Sequence, residues 1–159
     1  MTSLLCSSTQ GQAVGIEFDA QKFGEQLQKS FVELVDNPTF ADVVFLVQGE
    51  KIPAHRVIVS AWSSVLRDIM KNRGGGDREK GSDGSEIELD IPQEKGADIF
   101  KLLLRFMYLG CTSVTKEVVI PLLDLATRYE VHSLKDKCAE FLFVSDEKKD
   151  LGFLLDAVG

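Results

Sequence analysis

The chain contains few of the residues on which disulfide-linked, metal-binding and nucleophilic proteins depend. Among 159 residues there are only three cysteines and two histidines. Cys6, Cys111 and Cys138 cannot all pair with one another, and their spacing matches no zinc-ligand pattern. We therefore expect free thiols in a reducing compartment, with Cys138 as a core position, and we expect no metal and no cofactor.

Long hydrophobic runs and an excess of basic charge are also missing. No apolar stretch approaches the ~20 residues of a membrane span, and the first residues lack the basic and apolar regions of a signal peptide. Lys and Arg total 18 against 25 Asp and Glu, a net charge of −7, which excludes the basic footprint of nucleic-acid binding. These absences predict a soluble intracellular protein, cytoplasmic or nuclear, with no membrane and no nucleic acid among its partners.

What remains fits one domain with two flanking segments. With 44% hydrophobic residues the chain can bury a core of its own. Residues 1–15 are small and polar, so we expect a disordered tail. Residues 16–144 form the predicted domain, in which the Gly-rich and charged stretch 73–85 is a surface loop, because it has no hydrophobic residue to bury. Residues 145–159 are apolar enough to begin a further helical segment.

The stretch Phe40–Arg56, FADVVFLVQGEKIPAHR, is the most informative part of the sequence. An apolar strand follows Asp42, and a second strand over Lys51–Ala54 follows a two-residue turn. That turn, Gln48-Gly49, predicts a β-hairpin, because glycine supplies the positive φ that a tight turn needs. His55 and Arg56 then open a helical pattern.

The rest of the sequence predicts helices and one more strand. An apolar stripe on one face predicts a first helix from an Asp19 N-cap to about Asp36. The other predicted elements are two short helices over Ala54–Ala61 and Ser63–Asn72, a strand over Glu86–Asp90, a central helix over Glu94–Leu109 stopped by Gly110, and helices over Lys116–Tyr129 and Ser133–Phe143. Pro121 predicts that the helix containing it starts late or bends.

This order of elements resembles the BTB/POZ domain, a protein-interaction fold. Besides the hairpin, three segments carry the resemblance: SAWSSVLRDIM at Ser60–Met70, IFKLLLRFMYLG at Ile99–Gly110, and LLDLATRYEVHSLKDKCAEFL at Leu122–Leu142. The resemblance implies an α+β fold, with a small, mainly antiparallel sheet capped and flanked by helical hairpins. It also implies a binding module without chemistry of its own, so we expect no enzyme and no small-molecule substrate.

BTB domains typically form homodimers through their first helix, often with a swapped N-terminal strand. Here that helix would present Phe23, Leu27, Phe31 and Leu34, a stripe large enough to mark an interaction surface. Ile16, in the pentapeptide GIEFD, would belong to the swapped strand. By periodicity alone, the stripe could equally pack onto the core of its own chain, whereas the resemblance favours a dimer.

Many members of the family are substrate adaptors that dock on the cullin-3 ubiquitin-ligase scaffold. The contact uses a hydrophobic-x-Glu motif after the third helix, and the matching position here is Asp77-Arg78-Glu79, with Met70 as a further candidate cullin contact. Asp77 stands where an apolar residue belongs, so the contact loses the binding free energy that burial of a large apolar side chain would contribute, about 1.5–3 kcal/mol. The resemblance thus implies an adaptor, and the altered motif leaves a scaffold that never binds a cullin as the alternative.

Transcriptional repressors of the family use a charged pocket that includes an Asp matching Asp42 and a basic residue two positions before the matching His55. This chain has Pro53 at the basic position, which disfavours recruitment of a corepressor. The resemblance also implies that Asp42, His55 and Arg56 are a structural motif of the family.

Two side chains, His55 and Trp62, could each have a more specific functional role. His55 has no Cys, Ser or carboxylate cluster near it in sequence that would make a catalytic group, so we predict that it forms structural hydrogen bonds at the start of a helix. Trp62, the only tryptophan, would be an interface anchor if exposed or core beside Phe106 if buried, and we expect partial burial.

Overall fold

The structure is a computed structural model that describes residues 19–73 and 86–156. Within these ranges it has six helices and three strands. In chain order they are α1 (Ala20–Val32), β1 (Val43–Val47), β2 (Glu50–Ala54), α2 (Arg56–Trp62), α3 (Ser64–Arg73), β3 (Glu86–Leu89), α4 (Gly96–Leu109), α5 (Val119–Arg128) and α6 (His132–Asp156). This is the α+β fold that the resemblance implies.

The predicted hairpin is confirmed, with β1 and β2 antiparallel to each other. Both turn residues have positive φ, 52° at Gln48 and 83° at Gly49, as the favoured two-residue turn requires. Glycine adopts this conformation without strain, whereas Gln48 makes compensating bonds. Its Nε2 donates to the carbonyls of Ile91 (3.0 Å) and Gln93 (2.8 Å). The turn is thereby joined to the segment that leads from β3 into α4.

The three-stranded sheet is mixed, in the order β2-β1-β3. β3 lies parallel to β1, pairing Val44 with Glu86 through Val47 with Leu89. The parallel ladder arises because α2 and α3 form a crossover between the hairpin and β3, as a parallel pair requires. The predicted alternation of β3 is confirmed: Ile87 and Leu89 are buried, and the two glutamates between and before them are exposed.

Helix α4 runs through the centre of the core and buries ten of its fourteen residues. Its Phe100 ring packs edge-on against Phe45 of β1 at 5.2 Å between centroids, and against Tyr129 at 6.1 Å. Gly110 ends the helix as predicted, with a φ of 67° and its N–H donating to the Phe106 carbonyl (2.8 Å). The central helix therefore links the sheet to the C-terminal helices.

Ser63 separates the two short helices and caps the second one. Its Oγ accepts from the N–H of Leu66 (3.0 Å) and donates to the carbonyl of Tyr129 (2.6 Å), and the residue is fully buried. Next to it, the Ser64 hydroxyl donates to the Glu130 carboxylate. The start of α3 is thereby joined to the turn between α5 and α6.

The C-terminal helices differ from the sequence prediction in their bounds. α5 begins late, at Val119, and Pro121 lies in its first turn, where a missing N–H removes no helical bond. α6 continues without a break from His132 to Asp156, where the sequence predicts one helix ending at Phe143 and a further segment from 145. No proline or glycine occurs between Ser133 and Leu151, so nothing in the local sequence stops the helix.

Several predictions lie outside the described residues. They are the disordered tail over 1–15, the swapped strand at Ile16 and Phe18, and the loop at 74–85, which contains Asp77, Arg78 and Glu79. These remain predictions.

Ser63→Ala should destabilise the fold by about 1–3 kcal/mol, because it leaves the buried Tyr129 carbonyl and Leu66 N–H without their hydroxyl. Urea unfolding would measure the change. Ser64→Ala is the matched control, since its bond to Glu130 is exposed, and it should cost less than about 0.5 kcal/mol. Equal losses in the two variants would contradict the role given to Ser63.

Candidate interaction site

Helix α1 begins at a well-formed cap. The Asp19 carboxylate accepts from the N–H groups of Gln21 (3.0 Å) and Lys22 (3.3 Å), as an N-cap side chain does. The cap predicted from the sequence is confirmed, and the helix ends at Val32, four residues before the predicted Asp36.

This helix is amphipathic, yet it buries none of its residues. Phe31, Leu34 and Val35 pack partly against the core, and Gln28 Nε2 donates to the Leu109 carbonyl (2.7 Å). Leu27 remains 43% exposed. The chain's own core therefore covers only one side of the apolar face of α1, and the other side is left at the surface.

Next to that open side lies a groove of about 520 Å³ between α1, α2 and α4. The side chains that line it are almost all apolar: Leu27, Phe31, Leu34, His55, Val57, Ile58, Ala61, Trp62, Met107 and Tyr108. Three of the four residues predicted for the dimer interface meet here, while Phe23 is exposed on α1 but does not line the groove. An open apolar groove of this kind is suited to receive another protein surface.

The contribution of α2 to the groove is not among the predictions from the sequence. Val57 is 75% exposed, although its position in an apolar helix predicts burial. The signal was present: the seven-residue helix has apolar side chains at Val57, Ile58, Val59, Ala61 and Trp62, an arc too wide for one buried face. Only Val59 of this helix is fully buried. The remaining apolar positions form the wall of the groove.

Trp62 is partly buried, as predicted, at 37% exposure. Its ring packs edge-on against Phe106 of α4, with 5.5 Å between ring centroids. One side of the indole thus contacts the core, and another side lines the groove. This geometry holds a large aromatic surface rigidly at the rim, as in the anchor residues of interfaces.

His55 makes structural hydrogen bonds at the floor of the groove. Its Nε2 lies 3.1 Å from the Thr39 carbonyl, and its Nδ1 lies 2.8 Å from the Tyr108 hydroxyl. A carbonyl only accepts, so Nε2 carries the proton and Nδ1 accepts from the hydroxyl. The same Tyr108 oxygen accepts the backbone N–H of His55 (2.9 Å). Both ring nitrogens, the backbone N–H of His55 and the Tyr108 hydroxyl therefore all have hydrogen-bond partners in this buried cluster.

Asp42 and Arg56 hold the start of α2 from the other side. The Asp42 carboxylate accepts the Arg56 N–H (2.6 Å), while the Arg56 guanidinium donates to the carbonyls of Asp42 (3.1 Å) and Met70 (3.2 Å). Asp42 thus supplies the cap that His55, at the N-cap position, does not provide. The three residues of the predicted structural motif all make hydrogen bonds that orient α2.

Comparison with known families identifies the domain. Residues 31–145 match the family model of the BTB/POZ domain. The chain belongs to the BTB/POZ family. BTB domains are protein-interaction modules, which agrees with an open apolar groove. Solved structures agree with this fold. The BTB domain of zebrafish PATZ1 covers 80% of this chain, with a TM-score of 0.60 and 22% sequence identity. The BTB domain of human gigaxonin covers 84% of this chain, with a TM-score of 0.63 and 20% sequence identity.

Curated relatives resemble this BTB domain over a small part of their own length. An ARM repeat protein interacting with ABF2, from Arabidopsis thaliana, is 38% identical over 72% of this chain and 15% of that protein. BTB/POZ domain-containing protein 9 of Rattus norvegicus is 36% identical over 65% of this chain and 16% of its own. Kelch-like protein 24 of the same species is 30% identical over 74% of this chain and 18% of its own length. The chain thus spans less than a fifth of each.

One predicted cullin contact needs correction. Met70 is only 2% exposed and belongs to the hydrophobic core. Its position on the inner face of α3 follows from the same apolar spacing that buries Leu66 one turn earlier. Met70 therefore offers no surface to a cullin.

Among the side chains of residues 19–73 and 86–144, no group of three or more from His, Cys, Asp and Glu could hold a metal ion. In the ranges that the structure describes, no helix has the length and apolarity to cross a membrane. Cys138 is buried, and burial raises the pKa of its thiol, so this sulfur is a core group rather than a nucleophile.

The buried Tyr108 predicts a distinct alkaline titration. Burial raises the pKa of Tyr108 to about 12, although the hydrogen bond from the His55 N–H acts in the opposite direction. Burial also raises the pKa of Tyr129, the only other tyrosine. Because unfolded tyrosines ionise near pH ~10, stability should be full below pH 10 and fall as the pH rises toward 12. Absorbance at the tyrosinate band should therefore show no step near pH 10 until the protein unfolds.

The denatured chain is the control for that titration and should show both tyrosines ionising near pH ~10. Tyr108→Phe should remove part of the loss of stability at alkaline pH. The variant should be less stable at neutral pH, by about 1–3 kcal/mol, because the buried N–H and Nδ1 of His55 lose their partner. A tyrosinate step near pH 10 in the folded protein would contradict the buried cluster.

Proposed function

We propose that this BTB domain forms a homodimer through the open face of α1 and α2. The observation that carries the proposal is the apolar groove of about 520 Å³ beside an amphipathic helix with no buried residue. In a symmetric dimer the same patch is used on both copies, so the exposed Leu27 and Val57 of one chain can be covered by those of the other. Burial of such a surface is the main favourable term in association.

The groove also has the rigidity that favours association. The Tyr108 hydroxyl and the Asp42 carboxylate fix α2 at its start, and Phe106 fixes the Trp62 ring at its end. A preorganised wall loses little conformational entropy when a second copy binds. The polar atoms of the floor are satisfied within the chain, so covering them leaves no hydrogen bond unmade.

The homodimer is tested by Leu27→Asp with Val57→Asp. Both side chains are exposed in the single chain, so the variant should fold, but two charges in the covered groove should weaken the dimer by on the order of 10²-fold or more. Light scattering over a concentration series would measure the mass. The matched control is Ile120→Asp with Phe143→Asp, 64% and 75% exposed and outside the groove, which should stay dimeric. A dimer that persists in the first variant would refute this interface.

We further propose that the dimer serves as the assembly module of a substrate adaptor for a cullin-3 ubiquitin ligase. Family membership supports the proposal, as does the surface that α3 and the turn between α5 and α6 share. The bonds of Ser63 to Tyr129 and of Ser64 to Glu130 hold these elements together, so a scaffold could contact both at once. Substrate specificity would come from regions outside the BTB domain, since the relatives are several times longer.

The alternative is a self-association domain of a transcriptional or cytoskeletal scaffold that binds no cullin. Asp77 favours this alternative, because a charged side chain stands at the apolar position of the docking motif. The two functions differ only in the second surface, since both need the dimer through α1 and α2.

Calorimetric titration with the N-terminal region of cullin-3 separates the two. The adaptor function predicts sub-micromolar binding, and Asp77→Phe should tighten it by roughly 10-fold or more, because the motif regains a large apolar group. Asp83→Phe, in the same stretch of sequence but outside the motif, is the control and should change nothing. If neither the wild type nor Asp77→Phe gives heat with cullin-3, although both are verified dimers, the adaptor proposal fails in favour of the scaffold function.

A further inference from the structure

Phe40 occupies a backbone position that suits glycine. The turn Pro38–Ala41 is closed by the Ala41 N–H, which donates to the Pro38 carbonyl (3.1 Å). Phe40 is the third residue of this turn and has a φ of 60°, whereas Thr39 before it has a negative φ. These signs are those of a type II turn, whose third position favours glycine or asparagine. A phenylalanine is strained there, because its Cβ crowds the neighbouring backbone.

Burial within the chain does not offset this strain. The Phe40 side chain is 87% exposed, and it is not among the side chains of the described residues that pack on the core. An aromatic ring that stays in water adds little to the stability of the fold. A strained residue without a folding role indicates a role in binding.

Hydrogen bonds on both sides hold the turn in place. The Thr39 N–H donates to Asn37 Oδ1 (2.9 Å), and the Thr39 carbonyl lies 3.1 Å from His55 Nε2. On the other side, the Asp42 N–H donates to the Ala54 carbonyl (3.2 Å). The ring is therefore presented from a fixed backbone, which lowers the entropic cost of binding.

The turn lies next to one end of α3. Arg56 Nε donates to the Asp42 carbonyl (3.1 Å), and its Nη1 donates to the Met70 carbonyl (3.2 Å), so the turn is joined to the C-terminal part of α3. The start of α3 is joined to the turn between α5 and α6 by the Ser64–Glu130 bond. The ten residues of α3 span about 15 Å, so a partner lying along this helix can contact both turns.

The surroundings of Phe40 are apart from the groove and acidic. Phe40 does not line the groove between α1, α2 and α4. From residue 30 to residue 50 the sequence contains no Lys or Arg, and its acidic residues are Glu33, Asp36, Asp42 and Glu50. Asp36 and Asp42, on either side of the turn, are exposed. The surface that best fits this ring is an apolar pocket with basic side chains at its rim.

We propose that Phe40 is the aromatic anchor through which this domain contacts the cullin-3 scaffold, at the end of α3 opposite the α5–α6 turn. The inference rests on the adaptor function proposed above and identifies the residue that enters a pocket of that partner. The ring supplies the apolar burial, and Asp36 and Asp42 attract the basic rim. The turn keeps a strained residue because the ring is needed in the complex rather than in the free domain.

Phe40→Gly tests the strain. It should raise the melting temperature by about 2–5 °C, because glycine adopts the left-handed conformation without a clash. Phe143→Gly is the matched control: this phenylalanine is 75% exposed within α6, so the same change should lower the melting temperature. A melting temperature that is unchanged or lower in Phe40→Gly would show that the side chain serves the fold, and would overturn the proposal.

Calorimetric titration with the N-terminal region of cullin-3 tests the contact. Phe40→Gly and Phe40→Asp should each weaken binding by roughly tenfold or more, while light scattering shows the mass of the wild type. Ile120→Asp, which changes an apolar side chain 64% exposed at the start of α5, should bind as the wild type does.

The possible failures can be told apart. Equal binding by the wild type and the Phe40 variants would overturn this inference and leave the adaptor function in place. No heat from the wild type would also overturn it, and the adaptor function fails as well only if Asp77→Phe is silent too. Loss of the dimer in Phe40→Asp would place the ring in the dimer interface and contradict the assignment to the scaffold.

Discussion

A single buried hydroxyl, that of Tyr108, joins the central helix to the start of α2. It donates to His55 Nδ1 and accepts the His55 N–H, while Nε2 of the same ring reaches back to Thr39 before β1. Helix α2 depends on this junction, because its seven residues include only one that is fully buried. Apolar packing alone would leave so short a helix poorly oriented. The wall of the groove is therefore positioned by polar bonds at its floor.

Incomplete burial also explains why α1 is suited to an interface. The helix is capped by Asp19 and joined to the domain by Gln28 and by partly buried side chains, yet none of its residues is fully buried. An amphipathic helix that is half covered keeps apolar area for a second surface. In this chain the two exposed walls, α1 and α2, meet along one groove, so a twofold partner can cover both in a single contact.

Local signals predicted most of the fold, and non-local packing decided the rest. Gly49, Gly110 and Ser63 each fix a turn or a cap through their own conformation or hydroxyl, so short stretches of sequence sufficed. The parallel pairing of β3 depends on a crossover that no short pattern encodes. The open position of Val57 likewise depends on which face the neighbouring helices leave uncovered, and periodicity does not report that. Met70 was misassigned because sequence proximity to a motif does not imply a shared surface.

The central claim, that the groove face is the dimer interface, is tested most directly by the fluorescence of Trp62. It is the only tryptophan, and it lines the groove at 37% exposure. Emission would be followed together with mass as the protein is diluted through dissociation. The account predicts a red shift that tracks the halving of the mass, because the indole regains water when the second copy leaves. A mass that halves with unchanged emission would place the interface elsewhere on the domain.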